Sequence, residues 1–152
     1  MDDCLACQLT NGQIELPGGI ISKSRYWVVE HCRGPYPVGT LIVKPFRHCV
    51  HPWELTLEES AELGLVIKRV SGAINAVSCP DQIYICLWSH ADWVPGHIHF
   101  VLQPVSGLSK EKHVKPGPYL QVDLGRESIR PSKEDIEDYC SKIRDVISRR
   151  IS

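Results

Sequence analysis

Two hydrophobic periods divide this chain. Tyr26 to Glu30 and Thr40 to Lys44 are short, aromatic and β-branched runs of the kind that pack as strands. The turn residues Gly34-Pro35-Tyr36-Pro37 between them predict a hairpin. Ile83 to Trp88 predicts a third strand. His97 to Gln103 alternates in a fourth, with His97, His99, Val101 and Gln103 on one face and Ile98, Phe100 and Leu102 on the other. Between the strand pairs the period changes: Leu63, Val66, Ile67, Val70, Ile74 and Val77 recur at helical spacing. Thr56 with Glu59 forms a capping box that starts this helix. Gly64 and Gly72 inside it each cost about 1 kcal/mol relative to alanine, which predicts close packing of the helix against a sheet. A last helix over 132–150 is capped by Ser132 and carries the stripe Ile136, Cys140, Ile143 and Ile147.

The order strand, strand, helix, strand, strand, helix predicts an α+β fold, an antiparallel sheet with two main helices packed on it. No repeat or composition break divides residues 1–152, so one domain is expected. Within it, 105–131 reads as a loop-rich extension, with one short strand at Tyr119 to Leu124. The loop Asn11 to Gly19 closes on Pro17-Gly18-Gly19.

Charge and cysteine usage narrow the classes of partner. A formal net charge of -1 lacks the basic excess of a nucleic-acid or acidic-membrane binder. A small anionic ligand needs only a few local donors and stays open. Seven cysteines, an odd number behind no charged-then-apolar leader, argue against a secreted disulfide framework. No apolar run approaches the roughly 18–20 residues of a membrane helix. The expectation is a reduced, cytoplasmic protein.

Chemistry concentrates in the histidines and the first two cysteines. Cys4 and Cys7 have the two-residue spacing that lets both thiolates reach one ion, and His48, His51 and His97 are available to complete a tetrahedral zinc site. A redox pair would need a strand before Cys4, which the sequence lacks. Two unconnected thiols in a loose terminus, and surface imidazoles at His48 and His51, are the plain alternatives. His97 and His99 can hold a metal, or one can act as a nucleophile toward phosphorus, since neutral imidazole attacks well and leaves well near neutral pH. On these residues alone, ligation and catalysis compete evenly.

Gly39-Thr40-Leu41-Ile42-Val43-Lys44-Pro45-Phe46-Arg47-His48, then Glu54-Leu55-Thr56-Leu57-Glu58-Glu59, then His97-Ile98-His99-Phe100-Val101, resembles the histidine-triad (HIT) family. The similarity covers roughly Cys4 to Pro104. It implies a nucleotide-binding HIT-like fold that dimerises across the sheets. It also implies nucleotide hydrolysis or nucleotidyl transfer at the α-phosphate of a nucleoside phosphate or dinucleoside polyphosphate. Pro104, at a distance from the first motif histidine common in the family, makes His97 the first histidine and His99 the nucleophile of a nucleotidyl-histidine intermediate. The zinc-bearing relatives further imply a structural zinc on Cys4, Cys7, His48 and His97. Four protein ligands leave no open position for metal-assisted hydrolysis.

Three departures accompany the resemblance. Val101 stands where the third histidine belongs and donates no hydrogen bond. The polar segment before the motif is Ser89-His90-Ala91-Asp92-Trp93-Val94-Pro95-Gly96, in which Ser89, His90 and the Gly96 amide are the candidate phosphate donors. Glu30 is the candidate for the acidic ribose contact, and Trp27, Trp88 or Trp93 for base stacking. A shifted register, with Pro95 first, His97 in the middle as nucleophile and His99 third, loses both the proline match and the fourth zinc ligand. The alternative function is a zinc-stabilised nucleotide-binding module with weak or absent catalysis.

Overall fold

The computed structural model describes residues 4–87, 89–92, 94, 96–106, 117–127 and 130–149. The elements run α1 (Leu5–Thr10), β1 (Ile20–Lys23), β2 (Trp27–His31), β3 (Leu41–Pro45), α2 (Leu57–Ser78), β4 (Gln82–Leu87), β5 (Phe100–Val105), α3 (Pro118–Glu127) and α4 (Lys133–Arg149). A single turn of 3-10 helix, Pro52–Glu54, precedes α2. The five strands form one antiparallel sheet in the order β1-β2-β3-β5-β4. This is the α+β architecture expected from the alternating pattern.

Strand alternation gives the sheet two different faces. Trp27, Val29, Leu41, Val43 and Leu102 point to one side, where Val66, Val70 and Ile74 of α2 and Ile136, Cys140, Ile143 and Ile147 of α4 close the core. Burying each of these large aliphatic side chains contributes about 1.5–3 kcal/mol. The other face carries Val28, Glu30, Ile42, Lys44, Val101 and Gln103, all of them buried. The helix α1 lies on that side, where the Ala6 carbonyl accepts a bond from Lys44.

Helix boundaries follow local chemistry closely. Glu59 N–H donates to Thr56 Oγ1 at 3.2 Å, and Thr56 N–H donates to Glu59 Oε2 at 2.8 Å, completing the capping box of α2. Asp135 N–H donates to Ser132 Oγ at 3.1 Å at the start of α4. Gly39, at φ +94°, lies so close to Tyr139 of α4 that a Cβ there would sit 2.9 Å from the phenol ring.

Several elements differ from the sequence expectation. Tyr119 to Leu124 belongs to a helix, not a strand. Pro118 opens it at the position where a missing N–H costs nothing, and Leu120 is buried with Leu124 one turn on, half-buried. Within the extension, Pro118–Glu127 is therefore helical. Gly64 does not pack closely against anything, because a Cβ there would meet no atom within 4 Å. Two further elements were not expected at all: the short helix α1, and β1, which pairs with β2 through an irregular register between Ile20 and Ser22. Among the described residues, no helix is long and apolar enough to cross a membrane.

Candidate functional site

His97 and His99 precede β5 rather than lying in it. The strand begins at Phe100, while Ile98 N–H donates to the Cys49 carbonyl at 2.8 Å. That bond draws the segment alongside the loop that leaves β3 at Pro45. The rings of His48 and His97 consequently meet edge to face, with centroids 5.3 Å apart. Arg47 secures the same loop by a forked bond to Glu59, Nε to Oε1 at 2.7 Å and Nη2 to Oε2 at 2.9 Å.

The N-terminus brings Cys4 and Cys7 to these two imidazoles. The Nδ1 of His97 lies 3.7 Å from Cys4 Sγ and 3.6 Å from Cys7 Sγ, and His48 Nδ1 lies 3.6 Å from Cys7 Sγ. All four ligand atoms fall within 4.8 Å of one another. Tetrahedral zinc, with bonds of about 2.3 Å to sulfur and 2.0–2.1 Å to nitrogen, sets its sulfur and nitrogen ligands about 3.6 Å apart. The observed spacing is the edge of that tetrahedron.

Protonation agrees with the geometry. His97 Nε2 is 3.1 Å from the Pro45 carbonyl, which can only accept, so Nε2 carries the proton and Nδ1 presents a lone pair to the cysteines. Burial also pushes the His97 pKa down to about 4, which keeps the ring neutral. Burial first, and then the adjacent Cys4, push the Cys7 thiol up to about 11. Two neighbouring thiols resist ionising together, and a divalent cation removes that resistance. His51, the other histidine of this loop, does not join the cluster. It stacks on Trp53 with centroids 4.4 Å apart.

His99 faces a different space. Its Nδ1 is 2.9 Å from the His97 carbonyl, so Nδ1 is the protonated nitrogen and Nε2 retains its lone pair. The ring lines a cavity of about 330 Å³ together with Leu5, Ala6 and Leu9 of α1, Glu30, Ile42 and Lys44 of the sheet, and Arg33 and Tyr36 of the β2–β3 loop. Glu30 and Lys44 form a buried ion pair in it, Nζ to Oε1 at 2.7 Å, while Glu30 Oε2 has no hydrogen-bond partner among the described residues. Burial raises the Glu30 pKa against the pull of Lys44. A second hollow of about 430 Å³ beside Ser24 and Lys68 holds one carboxylate, Glu62. That group is already engaged in bonds from Ser24 Oγ at 3.1 Å and Tyr26 N–H at 3.0 Å.

The structure thus gathers the predicted ligand residues into one cluster and places His99 and Glu30 on one cavity. Of the segment before the motif, Val94 reaches that cavity wall, but the candidate donors Ser89, His90 and Gly96 do not line it. Ser89 is half-buried, with an Oγ that makes no hydrogen bond among the described residues. His90 is exposed and Gly96 half-buried, and neither lines the cavity. Trp93, like Trp88 and Pro95, lies outside the described residues. Trp27 is fully buried and donates Nε1–H to the Glu59 carbonyl at 3.0 Å, so it is a core residue and not a base-stacking one. Val101 is buried between Ile42 and Cys86 in the sheet.

Sequence reasoning passed over Lys44 and the α1 residues Leu5 and Leu9. One signal for Lys44 existed: it is a charge that directly follows the apolar run Leu41 to Val43, as Glu30 follows Trp27 to Val29. Hairpin pairing sets Lys44 opposite Val28 and Glu30 opposite Ile42, making the two charges diagonal neighbours on one face.

No protein-family model and no curated protein matches the chain. Solved structures do. A hypothetical histidine triad nucleotide-binding protein from Sulfolobus tokodaii superposes with a TM-score of 0.74 at 22% identity, over 96% of this chain and 93% of that one. A zinc-bound histidine triad family protein from Mycobacterium smegmatis gives 0.71 at 17% identity, over 99% and 96%. A diadenosine triphosphate hydrolase from Plasmodium falciparum gives 0.66 at 14% identity, over 91% and 82%.

Proposed function

We propose that this chain, which has the histidine-triad fold, is a nucleotide hydrolase or nucleotidyltransferase working at an α-phosphate through a nucleotidyl-His99 intermediate. The observation that carries this reading is the bond from His99 Nδ1–H to the His97 carbonyl at 2.9 Å. It leaves the Nε2 lone pair on a ring that lines the 330 Å³ cavity.

The chemistry then divides into two displacements. His99 Nε2 attacks the α-phosphorus, a P–N bond forms, and the P–O bond to the leaving group breaks with its electron pair on oxygen. The imidazole charge that develops is shared through Nδ1–H with the His97 carbonyl. In the second step the oxygen of water, or of another acceptor hydroxyl, attacks the same phosphorus. The P–N bond breaks with its electron pair on Nε2, which returns His99 to neutrality, and the proton of the attacking hydroxyl passes to solvent. Glu30 Oε2, buried and without a hydrogen-bond partner among the described residues, is suited to accept from a ribose hydroxyl. Ser89, His90, the Gly96 amide and Trp93 are the remaining proposed substrate contacts, in the segment whose Val94 lines the cavity.

The group assigned to Cys4, Cys7, His48 and His97 is zinc, and the donor set and its spacing fit that ion. With four protein ligands it supplies structure rather than a Lewis-acid position. All seven cysteines are free thiols, which suits the reducing cytoplasm. A homodimer joined across the sheets is part of the same proposal.

Val101 favours a second reading, a zinc-stabilised nucleotide-binding module with little turnover, because it contributes no donor for developing phosphate charge. Incubation with labelled dinucleoside polyphosphates separates the two. An acid-labile phosphohistidine adduct on His99 supports the enzyme. Nucleotide binding with neither adduct nor turnover supports the module.

A further inference from the structure

Helix α1 borders two sites at once. Cys4, at its N-terminal boundary, and Cys7, in its first turn, face His48 and His97. Leu5, Ala6 and Leu9 of the same helix form a wall of the His99 cavity. The Ala6 carbonyl accepts from Lys44 Nζ at 2.8 Å, and that ammonium also holds Glu30 Oε1 at 2.7 Å inside the cavity.

Six residues make a helix too short to persist on its own hydrogen bonds. The Cys4 side chain supplies no cap bond. The ladder closes through bonds such as Gln8 N–H to the Cys4 carbonyl at 3.0 Å and Asn11 N–H to the Cys7 carbonyl at 2.9 Å. What keeps this helix in place is therefore its anchoring: burial of Ala6 and Leu9, the Lys44 bond, and the two cysteines at the ligand cluster. Protonated, uncoordinated thiols hold far less than two metal–thiolate bonds.

We infer that metal occupancy of the Cys4–Cys7–His48–His97 cluster controls nucleotide affinity at the His99 cavity, with α1 as a metal-held wall of that cavity. Metal loss frees the Cys4–Cys7 end, α1 withdraws, and Leu5, Ala6 and Leu9 leave the cavity together. A second arm runs through His97, whose ring belongs to the cluster and whose carbonyl orients His99. Coupling of this kind is reciprocal, so a nucleotide that needs the wall must also tighten the metal by the same factor. The inference rests on the nucleotide reading above and adds its regulation.

The test uses the full chain, loaded with zinc or stripped with a chelator, and AMP as the probe. Calorimetric titration is expected to show AMP binding to the loaded protein, a Kd at least tenfold weaker after stripping, and recovery when zinc is returned. Saturating AMP is expected to raise zinc affinity by the same factor in competition with a chromophoric chelator. Amide hydrogen exchange should show faster exchange at Gln8 and Asn11 in the stripped protein while β2, β3 and α4 stay protected. A Kd within twofold in the two forms overturns the inference and leaves the nucleotide reading standing. Protection lost throughout the sheet overturns the specific role of α1. If the loaded protein fails to bind AMP, the nucleotide reading falls and this inference with it.

Discussion

His97 and His99 are joined through the backbone: the carbonyl of His97 accepts the Nδ1–H of His99 at 2.9 Å, while the His97 ring turns to Cys4 and Cys7. One residue thus belongs to the ligand cluster by its side chain and to the cavity by its main chain. Two adjacent histidines of similar appearance acquire opposite duties, because one ring is fully buried and the other is half-open to the cavity.

Substitution should separate those duties. His99→Asn is expected to abolish the phosphohistidine adduct and lower turnover by about 10⁶-fold, the scale for removal of a catalytic nucleophile. Its zinc content and unfolding midpoint should stay near those of the parent. His97→Ala should lose zinc. Metal analysis of the two purified variants checks the pair, and a His99 variant that loses zinc while a His97 variant keeps it would reverse the assignment.

The Glu30–Lys44 pair should respond asymmetrically to mutation. Lys44→Met strands a buried carboxylate, whose side chain is only 4% exposed, and should cost about 3–5 kcal/mol. Lys44→Met with Glu30→Gln should recover much of that loss, since no buried charge then lacks a partner. A double-mutant cycle by urea unfolding measures the coupling; additive costs would mean the pair is not energetically joined.

His31 makes the fold sensitive to acid. Its Nδ1–H donates to the Cys32 carbonyl at 2.8 Å and its Nε2 accepts from Gly39 N–H at 3.0 Å, so the buried ring is neutral and satisfied. Burial lowers its pKa below the ordinary value of about 6.5. Between the folded and unfolded pKa values the unfolded chain binds the extra proton. The contribution is therefore complete above pH of about 6.5 and declines as pH falls below it, by at most about 1.4 kcal/mol per pH unit. Urea melts at pH 7.5 and 5.5 should show the decline, and His31→Phe should make it shallower.

Glu59 links helix capping to the ligand loop. Glu59→Ala removes the reciprocal half of the Thr56 cap and releases the forked bond from Arg47. The cap is worth about 1 kcal/mol, and the bond to the 44%-exposed Arg47 less than that. Loss of the fork also loosens the loop that carries His48, which should weaken zinc about tenfold, as loss of an outer-shell support does. Chelator competition on the variant, beside Thr56→Ala as a cap-only control, distinguishes the two effects.

Local rules were enough for the larger elements. The Thr56–Glu59 box and Ser132 mark the starts of α2 and α4, the stripe Ile136, Cys140, Ile143 and Ile147 marks the buried side of α4, and alternation marks the β2–β3 hairpin. These signals involve residues a few positions apart, whose energies are set by backbone geometry alone. The residue types at Cys4, Cys7, His48, His97 and His99 were legible in the same way. Their grouping was not, since the cluster spans 93 positions from Cys4 to His97, and loops such as Phe46–His51 have no periodicity to place them. Helix α1 escaped detection because a six-residue helix draws its stability from Lys44, burial and the ligand cluster rather than from its own sequence. For the same reason the choice of nitrogen on each histidine came from carbonyl acceptors: the Pro45 carbonyl accepts from Nε2–H of His97, and the His97 carbonyl accepts from Nδ1–H of His99. Composition and period set which side chains were available; packing of loops against the sheet set which atoms of them face the Cys4–Cys7–His48–His97 cluster and which face the cavity.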